Sequence, residues 1–451
     1  MSKFSLILLC AAQFMVILDI TVVNIALPSI QQDLGLATKD LQWVITAYTL
    51  AFGGLLLLGG RAADLFGRRR VFLTGLAVFT LASLGAALAG SAAALITARV
   101  GQGVGAAMLS PAALSLVTTL YDEGPARHRA LAAWAAVAAS GGAVGVLLGG
   151  ALTSALEWPA IFLINLPVGI AVAIGALRVL PAGERRSGKV DVLGALLATG
   201  SLVALIYALV EAPDAGWSST QTLGLLAVTI IGLTAFAAVE SRTAEPLVPL
   251  QVFRRRPTVV ALALMVAGMG TVMSSFFFLT TYLQEGLGHS ALRTGLEFLP
   301  GAIVLVLAAH AGQHLVARHG AKPVLAGGMT LGAGGALLLS GLPTDGSYLA
   351  DVLPGLLLLD VGIGLAASGI FITGMSGVGH HEAGLVSGLL TTSHEIGIAL
   401  VLPVLSTIAV SGSLGDAFRA ATALAAGAAL LALVAVRRSD VAPGSTAAFV
   451  H

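Results

Sequence analysis

Apolar blocks of about 20 residues recur along this chain, separated by short polar breaks, and that spacing limits the folds open to it. At ~1.5 Å rise per residue, a helix of this length crosses the ~30 Å hydrocarbon core of a bilayer. Core helices of 10–14 residues would not recur at such a length. Charge supports the same conclusion. Asp, Glu, Lys and Arg make up 10% of the 451 residues and hydrophobic residues 57%, whereas a soluble domain carries about 25% charged residues. Inside lipid every backbone polar group must bond internally, and the blocks lack the period-2 alternation of strands, so the spans are expected to be helices.

Fourteen spans are predicted, over residues 5–30, 42–60, 71–90, 93–119, 130–152, 160–181, 191–211, 222–240, 258–283, 294–316, 323–342, 350–376, 383–411 and 417–436. Basic residues orient them. With a cytoplasmic N-terminus, nineteen fall inside: Lys3, Arg61, Arg68, Arg69, Arg70, Arg127, Arg129, Arg178, Arg185, Arg186, Lys189, Arg242, Arg254, Arg255, Arg256, Arg318, Lys322, Arg437 and Arg438. Three (Lys39, Arg293 and Arg419) fall outside, and Arg99 lies within a span. That bias places both termini in the cytoplasm. The run from Phe4 to Ile30 is too long for a signal-peptide core and contains Asp19, so it is read as the first span.

A faint internal repeat links Gly60-Arg61-Ala62-Ala63-Asp64-Leu65-Phe66-Gly67-Arg68-Arg69-Arg70 with Gln313-His314-Leu315-Val316-Ala317-Arg318-His319-Gly320-Ala321-Lys322. The Gly and the basic position recur, while Ala317 replaces Asp64. If the loops are equivalent, residues 1–181 and 258–436 are two six-helix bundles, residues 182–257 carry two inserted linking spans with their flanking loops, and 437–451 is a cytoplasmic tail.

Several function classes are disfavoured. A net charge of +1 and the lack of basic runs interleaved with aromatics argue against a nucleic-acid partner. No Gly-x-x-x-x-Gly-Lys-Ser/Thr and no His-Glu-x-x-His occurs, and Cys10 is the only cysteine, so neither an ATP-driven pump nor a membrane-embedded enzyme is expected. The adjacent ligands of His380-His381-Glu382 would point apart, so no metal or other cofactor is expected.

Polar residues inside the spans are the candidates for chemistry, because each is costly in lipid unless it faces a cavity or a partner. Asp19, mid-span 1, is a candidate proton carrier. Arg99 in span 4 shares a helix face with Gln102 and could tune a nearby carboxylate. Gly141, Gly145, Gly149 and Gly150 in span 5 form a small-residue ridge for close helix packing. In the second half, Asp360, His394 and Glu395 are further buried ionisable candidates; an adjacent His and Glu point about 100° apart and need not touch. His310 reads as interfacial.

Several stretches resemble the major facilitator superfamily, specifically its 14-helix drug:proton antiporters. Gly60 to Arg70 looks like that family's loop 2–3 signature, Leu18-Asp19-Ile20-Thr21-Val22-Val23-Asn24-Ile25-Ala26-Leu27-Pro28 its first-helix signature, and Arg99-Val100-Gly101-Gln102-Gly103-Val104-Gly105 its fourth-helix motif. Tyr282-Leu283-Gln284-Glu285-Gly286, Gly295 to Pro300 and Glu382 to Gly388 resemble other stretches of the group. Span 5 is similar to the exporter motif Gly-x-x-x-Gly-Pro-x-x-Gly-Gly, with Val146 in the Pro place, and Glu157-Trp158-Pro159 stands where the family usually has Trp-Arg-Trp.

The resemblance implies an all-α major facilitator fold. It also implies that Asp19 and Arg99 couple protons, and that Gly60, Arg61, Asp64, Gly67 and Arg68 form a conformational latch. Asn24, Gln102, Gln284, Asp360, His394 and Glu395 are then candidates to line a substrate cavity. The expected function is proton-driven export of small amphipathic drugs, antibiotics or metabolites, cationic or neutral, by alternating access; lipid or glycolipid export on the same fold is the alternative. The chain is expected to be monomeric and to lie in a bacterial inner membrane, with protons, substrate and lipid as its partners.

Overall fold

A computed structural model of the chain describes residues 3–121, 125–181, 191–243, 246–379 and 382–436. Arg185, Arg186, Lys189, His380, His381 and the tail from residue 437 lie outside these. Fourteen long helices are present: α1 (Lys3–Leu34), α2 (Trp43–Phe66), α3 (Arg68–Ala87), α4 (Ala92–Leu120), α5 (Pro125–Leu156), α6 (Asn165–Val179), α7 (Val192–Ala215), α8 (Thr220–Glu240), α9 (Arg256–Thr281), α10 (Ala291–His319), α11 (Ala321–Leu339), α12 (Leu353–Gly374), α13 (Ala383–Ser411) and α14 (Leu414–Ala435). A short helix, Ala160–Leu163, leads into α6. No strand occurs among the described residues. Among them thirteen helices are long and apolar enough to cross a membrane. The remaining one, α5, is apolar over Ser140–Leu156 and carries Arg127 and Arg129 near its start.

Each predicted span corresponds to one helix, with shifted ends. The largest shift is at the second connection, where residues 61–66 and 68–70 are helix rather than loop. Gly67 has φ +97°, a conformation that side chains with a Cβ rarely adopt, so one residue ends α2 and α3 starts at Arg68. Gly320, at φ +82°, makes the same junction between α10 and α11. Elsewhere Ser91 and Ser413 cap α4 and α14, their hydroxyls accepting from the backbone of Ala94 and Asp416.

Two compact units share the chain. The first comprises Met1–Leu202, Gly232–Leu247 and His289–Leu296. Within it α1 packs on α4, α5 and α6, α4 on α2 and α3, and α3 on α6. The second comprises Val203–Ile231, Val248–Gly288 and Glu297–His451. Within it α9 packs on α12, α13 and α14, α11 on α12 and α14. Pairs α1–α4, α1–α5, α1–α6, α3–α4 and α3–α6 thus recur eight helices later.

Glycine permits the closest of these approaches. A Cβ on Gly103 of α4 would sit 2.5 Å from the Tyr48 carbonyl oxygen of α2. Along α5, Gly141 faces Ile17, Gly145 faces Thr21 and Gly149 faces Val22, all on α1, while Gly150 faces Ala291 and Leu292. The expected small-residue ridge is therefore the α1–α5 contact, and Val146 leaves α5 a continuous helix. In the second unit Gly397 of α13 approaches the Val266 carbonyl of α9 in the equivalent pair.

Candidate functional site

The polar residues of the first unit converge on one carboxylate. Asp19, 0% exposed on α1, pairs with Arg99, 1% exposed on α4, through Nη1 and Oδ2. The guanidinium does not reach outward. Its Nε donates to the Val44 carbonyl of α2 at 2.8 Å, its Nη1 also donates to Gln102 Oε1 at 2.8 Å, and its face lies 4.4 Å from the Tyr48 ring centroid. Burying both charges is tolerable only because each is paired and hydrogen-bonded.

The second carboxylate oxygen is met by two amides. Gln102 Nε2 donates to Asp19 Oδ1 at 2.9 Å and to Ser83 Oγ of α3 at 2.9 Å. Asn165 Nδ2, on the first residue of α6, donates to the same Oδ1 at 2.8 Å and to Ser83 Oγ at 3.3 Å. Ser83 passes its own proton to the Phe79 carbonyl at 2.8 Å. One acid thereby holds α1, α4 and α6 together, with α2 and α3 joined through Arg99, Gln102 and Asn165.

The sequence singled out Asp19, Arg99 and Gln102, and the fold brings them into contact. It did not assign roles to Ser83, Tyr48 or Asn165. Asn165 carried a usable signal, being an amide within an apolar span; Ser83 and Tyr48 are ordinary residues of packed helices. Asn24 is fully buried on α1, five residues beyond Asp19, with contacts of its own.

The second unit holds its acids differently. Asp360 on α12 is 7% exposed, and its Oδ2 occupies the space beside Gly301 of α10. No charged or hydrogen-bonding side chain meets it among the described residues. Glu395 on α13, 2% exposed, accepts a hydrogen bond at Oε1 from His394 Nδ1 at 2.9 Å, and its Oε2 is buried without a partner. The adjacent pair therefore does touch: the half-buried imidazole turns toward the buried carboxylate, which the 100° spacing alone left open. Gln284 is half-buried in a π-helical turn, Tyr282–Gly286, at the end of α9. Glu297 is buried, and His310 is exposed.

At the α2–α3 junction Asp64 and Arg68 face each other across Gly67 at 3.7 Å, both partly exposed. Arg68 also meets Thr119 Oγ1 of α4, and Arg69 donates to the Leu177 carbonyl at the end of α6 at 2.5 Å. The basic run thus clamps three helix ends. Gly60 lies beside Pro111 of α4, and Arg61 has contacts of its own.

Comparison with known proteins gives concordant results. The family model described as Major Facilitator Superfamily matches residues 9–402. The cephamycin export protein CmcT of Amycolatopsis lactamdurans is 44% identical over 91% of this chain and 86% of its own length. The puromycin resistance protein pur8 of Streptomyces alboniger is 42% identical over 90% and 81%. The tetracenomycin C resistance and export protein of Streptomyces glaucescens is 34% identical over 92% and 77%. Among solved structures, the POT family transporter PepTSo superposes with a TM-score of 0.71 over 98% of this chain and 99% of that one, at 14% identity.

Proposed function

The chain belongs to the major facilitator superfamily, and we propose that it exports small amphipathic antibiotics or metabolites, cationic or neutral, in exchange for protons by alternating access. It is a multi-pass membrane transporter of small molecules, and its relatives are antibiotic export and resistance proteins. The observation that carries proton coupling is the fully buried Asp19–Arg99 pair at the meeting point of the first-unit helices. In this reading Asp19 takes up and releases the proton, Arg99 sets how readily, and Gln102 fixes their geometry.

Residues 1–181 and 258–436 act as the two six-helix bundles, joined by a linking pair within 182–257. The repeated helix pairings and the matching Gly67 and Gly320 junctions support that division. Asp64 with Gly60, Arg61, Gly67 and Arg68 acts as the latch, and Asn24, Gln284, Asp360, His394 and Glu395 contribute to substrate recognition. The transporter works as a monomer in the bacterial inner membrane with both termini cytoplasmic.

Two experiments test this. In inverted vesicles with a pre-formed pH gradient, a transported antibiotic should dissipate the gradient, and Asp19→Asn should not respond. Uphill efflux that survives in Asp19→Asn sinks the coupling role, and counterflow of labelled lipid instead of drug would favour the lipid-export alternative. In a Cys10→Ala background, single cysteines in 211–221 and 343–349 should label from outside; labelling only after permeabilisation overturns the orientation.

A further inference from the structure

The network around Asp19 contains one atom without a partner. Asn165 is 1% exposed and gives both amide hydrogens away, yet its carbonyl Oδ1 is buried with no hydrogen bond. The neighbouring amide differs. Gln102 must turn its oxygen toward Arg99, because a guanidinium can only donate, and its nitrogen then serves Asp19 and Ser83. Gln102 has one permitted orientation whatever the protonation of Asp19. Asn165 faces a carboxylate and a hydroxyl, and a hydroxyl both donates and accepts. Its orientation is therefore dictated only by Asp19 being an acceptor.

We propose that Asn165 senses the proton on Asp19: it donates to the ionised carboxylate, and its side-chain amide turns over to accept from the carboxylic acid. The inference rests on the proton-coupling reading above and assigns it a further residue. The step is simple to balance. A hydronium ion gives up one O–H bond and becomes water, its proton forms the new O–H bond at Asp19 Oδ1, and the carboxylate loses its charge. Two donors then face each other, the new O–H and the Asn165 N–H. Turning the amide places Oδ1 against the acid and leaves the N–H₂ edge buried. The protonated state consequently holds α6 to α1 and α3 less firmly than the ionised state.

The surroundings leave few other groups to do this. On α4 the charged neighbour of Asp19 is Arg99, and Tyr48 of α2 lies against that guanidinium. The other charged residues of the packed helices, Arg61 and Asp64 near the end of α2, Arg68, Arg69 and Arg70 on α3, Arg127 and Arg129 on α5 and Arg178 on α6, sit near helix ends.

The test uses the full chain reconstituted in vesicles. Efflux is measured against pH, and the Asp19 carboxyl C=O stretch is followed by infrared difference spectroscopy, with Asp19→Asn identifying the band. Asn165→Leu removes both faces of the amide. Its efflux midpoint should move to higher pH by about one unit, because the bond lost to the ionised carboxylate is stronger than the one lost to the neutral acid. Its carboxyl band should rise in frequency as the acid loses its acceptor. Asn165→Asp is isosteric and guards against misfolding of the leucine variant. Its carboxylate cannot donate when ionised, so its midpoint should move in the same direction and further.

A wild-type midpoint in both variants, or in Asn165→Asp if the leucine variant does not fold, overturns the proposal. That failure is separable from failure of the coupling reading, in which wild-type efflux would ignore pH or Asp19→Asn would retain uphill transport.

Discussion

The two units solve the problem of a buried acid in opposite ways. In the first, Asp19 receives Arg99, Gln102 and Asn165, and both its oxygens are met. In the second, Asp360 has no such partner among the described residues, and Glu395 has a neighbouring imidazole on one oxygen and nothing on the other. Five helix pairings repeat between the units, while the polar side chains set into them differ. A saturated carboxylate is a fixed component that ties its helices together. An unsaturated one is the costlier arrangement in lipid.

Removing Asp19 should break the comparison most strongly. Asp19→Asn should abolish uphill efflux in a pH-gradient assay while substrate still binds. Arg99→Ala should be worse for the fold, since it leaves Asp19 buried without its cation, at about 3–5 kcal/mol; thermal unfolding in detergent measures this. Arg99→Lys keeps the charge, but one nitrogen cannot serve Asp19, Gln102 and the Val44 carbonyl together. It should cost about 1–3 kcal/mol for the group left unmet and show impaired efflux.

A smaller, selective effect is expected in the second unit. Glu395→Gln should weaken efflux of cationic substrates roughly tenfold more than of neutral ones, the loss of one charged contact of about 1.5 kcal/mol. Equal loss for both classes would make Glu395 structural, and a best substrate that is anionic would give recognition to Arg99. The smallest effect should come from the α2–α3 junction. The Asp64–Arg68 pair is exposed and loose, so its removal should change stability by less than about 1 kcal/mol. Asp64→Asn should slow exchange yet leave substrate affinity within a few-fold. A large affinity loss at unchanged turnover would move Asp64 from latch to binding site. Ala317→Asp, which supplies the acid that the second junction lacks, sharpens the point by asking whether the latch works in both halves.

Span number and helical type were legible in the sequence because the bilayer imposes them on any chain. Length and apolarity report the crossing, and unmet backbone groups forbid the alternatives in lipid. The cost of charge in lipid likewise marked Asp19 and Arg99 as residues that must have a reason to be there. The periodicity of one helix, however, does not give its rotation against another. Whether Asp19 and Arg99 meet and whether Asp360 finds a donor depend on contacts between residues dozens of positions apart, and whether His394 turns toward its neighbour Glu395 depends on a rotamer that the packed helices set. Ser83 and Tyr48 escaped notice for that reason: each is unremarkable in its own helix and acquires a role only where α2 and α3 close around the same site, whereas Asn165 stood out as an amide in an apolar span without showing what it met. The sequence thus determined the membrane fold and the residues too costly to be idle, because those follow from transfer into lipid, a property of each segment by itself. Only the tertiary structure decided which acid is saturated and which is left unmatched, because hydrogen bonds are short and directional and exist only once the helices are packed.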